Sequence, residues 1–188
     1  MNMEQAIYEV KVNWKKDRKG ILCSRALQSK IEVATPPEFP KGIAGVWSPE
    51  HLLVAAVNSC LMTAFLAIAE NSKFEFINFE SGANGKLEKI DGKYIISEIT
   101  LSPIVSIADG EDREKAGKIL QKAKEACIIS NSIKSKIIFQ SQIKILSPPK
   151  SLCLILILYL RIKIKVFLNF INCLRESPEL KSANPLTD

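Results

Sequence analysis

The segment at residues 50–70, EHLLVAAVNSCLMTAFLAIAE, contains neither glycine nor proline and is apolar on nearly every side. Ser48 can cap a helix here, Pro49 suits the first helical position, and Glu50 adds favourable negative charge to the first turn. The segment is long enough for a helix of roughly 30 Å. Because a helix that is apolar all round is usually buried on all sides, the sequence predicts a central helix.

Strand patterns flank this helix on both sides. Apolar and polar residues alternate before it in IYEVKVNW at residues 6–13, and ILCS and SKIEVA indicate two further strands. KKDRKG is predicted to be a polar turn, and TPPEFPKGIAG is predicted to be an irregular loop.

After the helix, two long strands are predicted, joined by a turn at Asp91–Gly92. They are FEFINFESGANGKLEKI and KYIISEITLSPIVSIA. An amphipathic helix, EDREKAGKILQKAKEAC, and a last strand, KIIFQSQIKI, follow. This order predicts an α+β fold, with antiparallel strands wrapped around a long buried helix, and not a doubly wound sheet.

The character of the chain changes after Leu146. We predict one domain at residues 1–146 and an atypical extension at 147–188 that is not part of the fold. The apolar run LCLILILYL ends at Arg161, whereas a membrane-spanning helix needs about 20 apolar residues, so no span is predicted. A membrane-associated tail at 152–173 is the alternative.

Charge and cysteine usage restrict the class of protein. The formal net charge is +6, but no run of Lys and Arg is interleaved with aromatic residues, so no nucleic-acid partner is predicted. The N-terminus lacks the basic and apolar regions of a secretory signal. Five irregularly spaced cysteines do not resemble a disulfide framework, so we expect a cytoplasmic protein with reduced thiols.

Two cysteines have informative surroundings. Cys60 lies in the middle of the apolar helix, where it either fills space or reacts, and Cys127 ends the second predicted helix. His51 is the single histidine and neither CxxC nor HExxH occurs, so no metal site is predicted. His51 lies about 13 Å from Cys60 along a helix axis, which excludes a direct pair within one chain. The remaining cysteines have no motif around them; they are Cys23, Cys153 and Cys173.

The combination of KKDRKG, WSPEHLLVAAVNSC and KAKEACIISNSIK resembles the OsmC/Ohr family of thiol-dependent hydroperoxide reductases. The resemblance covers most of residues 6–146. It implies that Cys60 is the peroxidatic cysteine, that Cys127 is the resolving cysteine, and that Arg18 and Glu50 form a polar pair at the site. Arg25 is the alternative to Arg18.

The second cysteine motif departs from the family in one respect. The family often has proline directly after that cysteine, where this chain has Ile128.

The resemblance also implies an organic hydroperoxide substrate, no bound cofactor, and an external dithiol reductant such as a lipoyl protein. The physical requirement is a nearby cation, because burial raises the pKa of a thiol and a guanidinium stabilises the reactive thiolate. The alternative is a non-catalytic member of the fold that binds a small apolar ligand or is structural.

The spacing of Glu50 and Cys60 predicts the quaternary structure. Ten residues on one helix separate the two backbones by about 15 Å, so Glu50 does not easily reach its own chain's Cys60. Either a partner subunit supplies Glu50 or the loop that carries Arg18 spans the gap. We therefore predict an intimate homodimer, which the family resemblance also implies.

Overall fold

A computed structural model describes residues 5–146 and 163–164. Groups of strands are separated by helices in an α+β arrangement, as predicted from the sequence. The elements in chain order are β1 Lys11–Lys16, β2 Lys19–Cys23, β3 Ile31–Ala34, α1 Pro49–Asn71, β4 Asn78–Ile90, β5 Lys93–Ile107, a short 3-10 helix Gly110–Asp112, α2 Arg113–Ala126, α3 Ile128–Ser132, β6 Lys136–Phe139 and β7 Gln142–Ile145.

The strands form two sheets. The first is antiparallel with the order β1-β2-β3, and the second contains β4, β5, β6 and β7, with β5 paired to the other three. The β4–β5 pair is antiparallel, but β6 and β7 run parallel to β5. The prediction of antiparallel strands is therefore wrong for β6 and β7. The reason is the crossover through α2 and α3, which returns the chain in the direction of β5.

α1 begins as predicted. Ser48 is its N-cap, with its hydroxyl accepting a hydrogen bond from the His51 amide at 3.3 Å, and Pro49 is the first helical residue. The core contains one stripe of α1 at intervals of four residues, and every member of the stripe is at most 1% exposed: Val57, Leu61, Phe65 and Ala69.

The other face of α1 is open to solvent in the single chain. Met62 is 39% exposed and Leu66 is 41% exposed, so the prediction of a helix buried on all sides is wrong for one chain. The reason is that α2, α3 and the second sheet cover only one side. By length and apolarity α1 could cross a membrane, but its buried stripe belongs to the protein core.

Small and polar residues join α1 to β4. A Cβ added at Gly85 would lie 2.5 Å from Cγ2 of Val54, so glycine allows the strand to approach the helix closely. The Asn58 amide donates to the carbonyl of Ser81 at 2.8 Å, and the Ser81 hydroxyl returns a bond to Asn58 Oδ1 at 2.6 Å. These contacts fix α1 against the second sheet.

The sequence predicted the hairpin turn more accurately than it predicted the ends of the strands. Asp91 and Gly92 have φ of 49° and 79°, which confirms the predicted hairpin turn. β1, in contrast, begins at Lys11 and not at residue 6. Its first residue pairs with Cys23, where β2 ends, so the preceding residues lack a strand to pair with in the single chain.

Three further differences concern the second half of the chain. β4 begins at Asn78. In the FEFI segment before it, Phe74 and Phe76 belong to the core region, and the Ile77 amide donates to the carbonyl of Ser106 at 2.7 Å. The predicted last strand is two strands, β6 and β7, interrupted at residues 140–141. α3 was not expected from the polar sequence after Cys127.

The predicted boundary at 146 stays a prediction. Except for Lys163 and Ile164, the extension lies outside the described residues, and so do Cys153, Cys173 and the alternative of a membrane-associated tail.

Leu61→Ala tests the core of α1. Leu61 is 0% exposed, so we expect the free energy of unfolding to fall by about 2–5 kcal/mol. Urea unfolding at one fixed protein concentration measures the change. Leu27→Ala is the matched control, since Leu27 is 66% exposed and its truncation should cost less than about 0.5 kcal/mol. Equal losses in both variants would contradict this description of the core.

Candidate active site

The two cysteines singled out in the sequence lie together. Cys60 is in the middle of α1, and Cys127 follows the last residue of α2 and is the N-cap of α3. Cys127 is 0% exposed, and its Sγ lies 3.9 Å from the carbonyl oxygen of Val57 on α1. The thiols of Cys60 and Cys127 are close enough to interact, and both are free. The packing of α1 against the α2–α3 junction thus makes a pair of two cysteines distant in sequence.

Ser130 also contacts this pair, and the sequence interpretation missed it. Its hydroxyl donates a hydrogen bond to Sγ of Cys127, with the two atoms 3.0 Å apart. Cys127 and Ser130 occupy the N-cap and third positions of α3, whose side chains commonly meet at a helix start. The Cys-x-x-Ser spacing would have been a signal, had the start of α3 been predicted.

The pKa of the Cys60 thiol, which is partly exposed, is raised by some of its neighbours and lowered by others. Burial raises its pKa, and the contact with the Cys127 thiol raises it further. Hydrogen bonds to the backbone of Ile129 and Ile128 lower the pKa of Cys60, but the net shift is upward. In the single chain, these influences together disfavour the thiolate of Cys60, and a nearby positive group would oppose them.

Glu50 lies in the first turn of α1, a helix position about 15 Å from Cys60 by the axial rise. One of its carboxylate oxygens, Oε2, is buried and has no hydrogen-bond partner in the part of the chain that the structure describes. Glu50 lines a cavity of about 560 Å³ with Trp47, His51 and Asn84. Neither Cys60 nor Cys127 lines this cavity. The structure therefore does not bring Glu50 to the cysteines of its own chain.

The two candidate arginines also lie apart from the cysteine pair. Arg18 is exposed in the β1–β2 turn, and its side chain makes no hydrogen bond or ion pair with another described residue. Arg25 is 91% exposed, with Nε 3.9 Å from Glu9. Neither guanidinium is among the groups that shift the pKa of Cys60. The choice between Arg18 and Arg25 stays open.

The other candidate ligands are dispersed. Nδ1 of His51 lies 2.9 Å from the Ser48 hydroxyl, and Cys23, on β2, accepts a long 3.7 Å contact from the Asn13 amide. Within residues 5–146 and 163–164, no group of three or more His, Cys, Asp or Glu side chains could hold a metal ion.

The chain has an α+β fold with a central apolar helix. A cysteine on that helix, Cys60, lies near a second cysteine, Cys127, at the start of α3, and this pair places the chain in a class of two-cysteine proteins. A family model described as OsmC-like protein matches residues 42–142, just over half of the chain. The chain belongs to the OsmC-like family.

A named relative supports this membership. Peroxiredoxin OsmC of Escherichia coli is 30% identical over 97 residues, which cover 52% of this chain and 67% of the relative.

Solved structures show the same fold. An OsmC-like protein of unknown function from Vibrio cholerae superposes with a TM-score of 0.65 at 24% identity, covering 73% of this chain and 99% of the other. An organic hydroperoxide resistance protein from Elizabethkingia anophelis superposes with a TM-score of 0.60 at 19% identity, covering 76% and 99%.

Ile128→Pro tests the backbone donors at Cys60. Proline suits the first position of α3, and Cys127 before it has φ −67° and ψ 105°, which a residue preceding proline accepts. The variant removes the Ile128 N–H and should therefore raise the pKa of Cys60. The pH at which Cys60 is half-maximally alkylated by iodoacetamide, followed by mass spectrometry, should move upward.

Ile128→Ala is the control, because it keeps the N–H and changes a side chain that is 70% exposed. The interpretation would be contradicted by an unchanged midpoint in Ile128→Pro or by equal shifts in both variants.

Proposed function

We propose that this protein reduces organic hydroperoxides through Cys60 and Cys127. The observation that carries the proposal is the contact between the two thiols at the α1–α3 junction, in which one sulfur is partly exposed and the other is buried. Membership of the OsmC-like family and the names of relatives, a peroxiredoxin and an organic hydroperoxide resistance protein, support the same chemistry.

In the proposed reaction the Cys60 thiolate attacks the outer oxygen of the hydroperoxide. The O–O bond breaks, an alcohol leaves after taking up a proton, and Cys60 becomes a sulfenic acid. Cys127 then attacks the sulfenic sulfur, which forms a disulfide and releases water. An external dithiol reduces the disulfide by exchange, and no bound cofactor is required. A lipoyl protein in the cytoplasm is the reductant that the family resemblance favours.

Cys60 and Cys127 differ in exposure, and each exposure suits one of the two reaction steps. The peroxide needs access to Cys60, whereas Cys127 needs only to reach Cys60 and is protected from other oxidants by burial. Apolar residues of α1 surround Cys60, including Val57, Leu61 and Ala64. These surroundings favour a hydroperoxide with an apolar substituent over hydrogen peroxide.

We further propose that the active unit is a homodimer. Two observations support it: the buried Oε2 of Glu50 lacks a partner, and the exposed Arg18 lacks a counterion among the described residues. A buried carboxylate oxygen without a donor is costly, so a donor from a second subunit would stabilise it. In the dimer, Glu50 of one subunit would pair with Arg18 of the other, and the guanidinium would supply the positive charge beside a Cys60 thiol.

Exposed apolar surface also supports a second copy as partner. The N-terminal segment and β1 carry large apolar side chains that are more than half exposed: Ile7, Tyr8, Val10, Val12 and Trp14. Met62 and Leu66 on the open face of α1 add to this surface. Monomeric proteins seldom expose so many large apolar residues together, and such patches mark interfaces.

The cavity beside Glu50 supports the alternative of a non-catalytic protein that binds a small ligand. Its volume of about 560 Å³ is within the usual range of small-molecule sites. Counting free thiols before and after one equivalent of organic hydroperoxide is added distinguishes the two functions, since only the peroxidase loses thiols.

Cys60→Ser should reduce the turnover of cumene hydroperoxide or tert-butyl hydroperoxide to the uncatalysed rate, because the attacking sulfur is absent. Cys127→Ser should allow one oxidation of Cys60 per chain but prevent recycling by dithiol. Peroxide consumption with dihydrolipoamide as reductant measures both. Cys23→Ser is the control and should keep wild-type turnover; undiminished activity of Cys60→Ser would reject the proposal.

A mixed dimer tests whether Glu50 acts across subunits. Cys60→Ser and Glu50→Gln chains, co-expressed with different tags, would be purified as the heterodimer. If each site combines Cys60 of one chain with Glu50 of the other, the heterodimer contains one intact site and should show about half of the wild-type turnover. The two homodimers of the variants serve as controls and should both have low activity.

A heterodimer as inactive as the Cys60→Ser homodimer would contradict the shared site. So would a wild-type protein that sediments as a monomer and keeps full activity.

A further inference from the structure

In the part of the chain that the structure describes, the Ser130 hydroxyl is the polar side chain, besides Cys60, that contacts the buried Cys127 sulfur. Ser130 Oγ lies 3.0 Å from Cys127 Sγ, whereas the Val57 carbonyl oxygen is more distant at 3.9 Å.

The backbone around Cys127 is fixed by other bonds. Its amide donates to the carbonyl of Lys124 at 3.4 Å, and its carbonyl accepts from the Asn131 amide at 3.1 Å. The Asn131 side chain in turn donates to the carbonyl of Glu125 at 2.9 Å. The remaining freedom of Cys127 is rotation about its Cα–Cβ bond, which has three staggered positions. The bond from Ser130 stabilises one of them.

We propose that Ser130 serves the resolving step, by donating a hydrogen bond that keeps the Cys127 sulfur directed at Cys60 and ready to attack it. This inference rests on the proposed function for its biological meaning. In that step Cys127 gives its thiol proton to solvent, the S–S bond forms, the S–O bond of the sulfenic acid breaks, and the departing hydroxide takes a proton from solvent to become water. Ser130 keeps its own proton throughout.

A peroxide-free experiment isolates the attack of Cys127 on Cys60. The full chain is prepared with Cys23, Cys153 and Cys173 changed to serine and is mixed with less than one equivalent of DTNB. Capture of the partly exposed Cys60 releases one thionitrobenzoate, and attack by Cys127 on the resulting mixed disulfide releases a second. Stopped-flow absorbance separates the two phases.

Ser130→Ala should slow the second phase by about tenfold or more and leave the first unchanged, because the donor to the attacking sulfur is lost. Ser130→Thr keeps a hydroxyl and should restore the second phase. Ser132→Ala is the matched control: the Ser132 hydroxyl donates instead to the carbonyl of Ile128 at 2.8 Å on the same helix. That variant should leave both phases unchanged.

A second phase in Ser130→Ala as fast as in the parent protein would overturn the inference. Equal slowing in Ser130→Ala and Ser132→Ala would also overturn it, since general weakening of α3 would then explain the effect. A parent protein that resolves the mixed disulfide but does not consume organic hydroperoxide would reject the proposed function and leave the role of Ser130 standing.

Discussion

The packing of α1 against the α2–α3 junction is the contact on which the rest of the structure depends. The buried stripe of α1 meets a buried face of α2 formed by Ala116, Ile119, Leu120 and Ala123. Because these faces are apolar and close-packed, the position of Cys127 relative to α1 is determined by core packing and not by a flexible loop. The two sulfurs are therefore held near each other before any oxidation.

The same packing disfavours the charged form of the Cys60 thiol. Burial raises the pKa of Cys60, and the neighbouring Cys127 thiol adds to the effect. The backbone N–H groups of Ile128 and Ile129 oppose this shift only in part. A proposed peroxidase of this kind therefore needs a cation from elsewhere. Among the described residues, Oε2 of Glu50 and the side chain of Arg18 have no partner, which supports the proposal that a second subunit completes the site.

The sequence predicted the elements with strong local signals. Ser48, Pro49 and the absence of helix breakers determined α1, and Asp91–Gly92 determined the hairpin turn, since capping and positive φ depend on the residues themselves. The sequence did not predict the direction of β6 and β7 or the start of β1. Strand pairing depends on which edges are available, and this is a property of the assembled sheet.

What the sequence alone determined about the site was the pair of cysteine contexts and the separation of Glu50 from Cys60, which follows from the rise of a helix. Only the tertiary structure decided that Cys127 lies against Cys60, that Ser130 donates to Cys127, and that one face of α1 stays open in a single chain. The physical reason is that local patterns fix which face of an element is apolar. Which other element covers that face, and which side chains then meet, is decided by the packing of the whole domain.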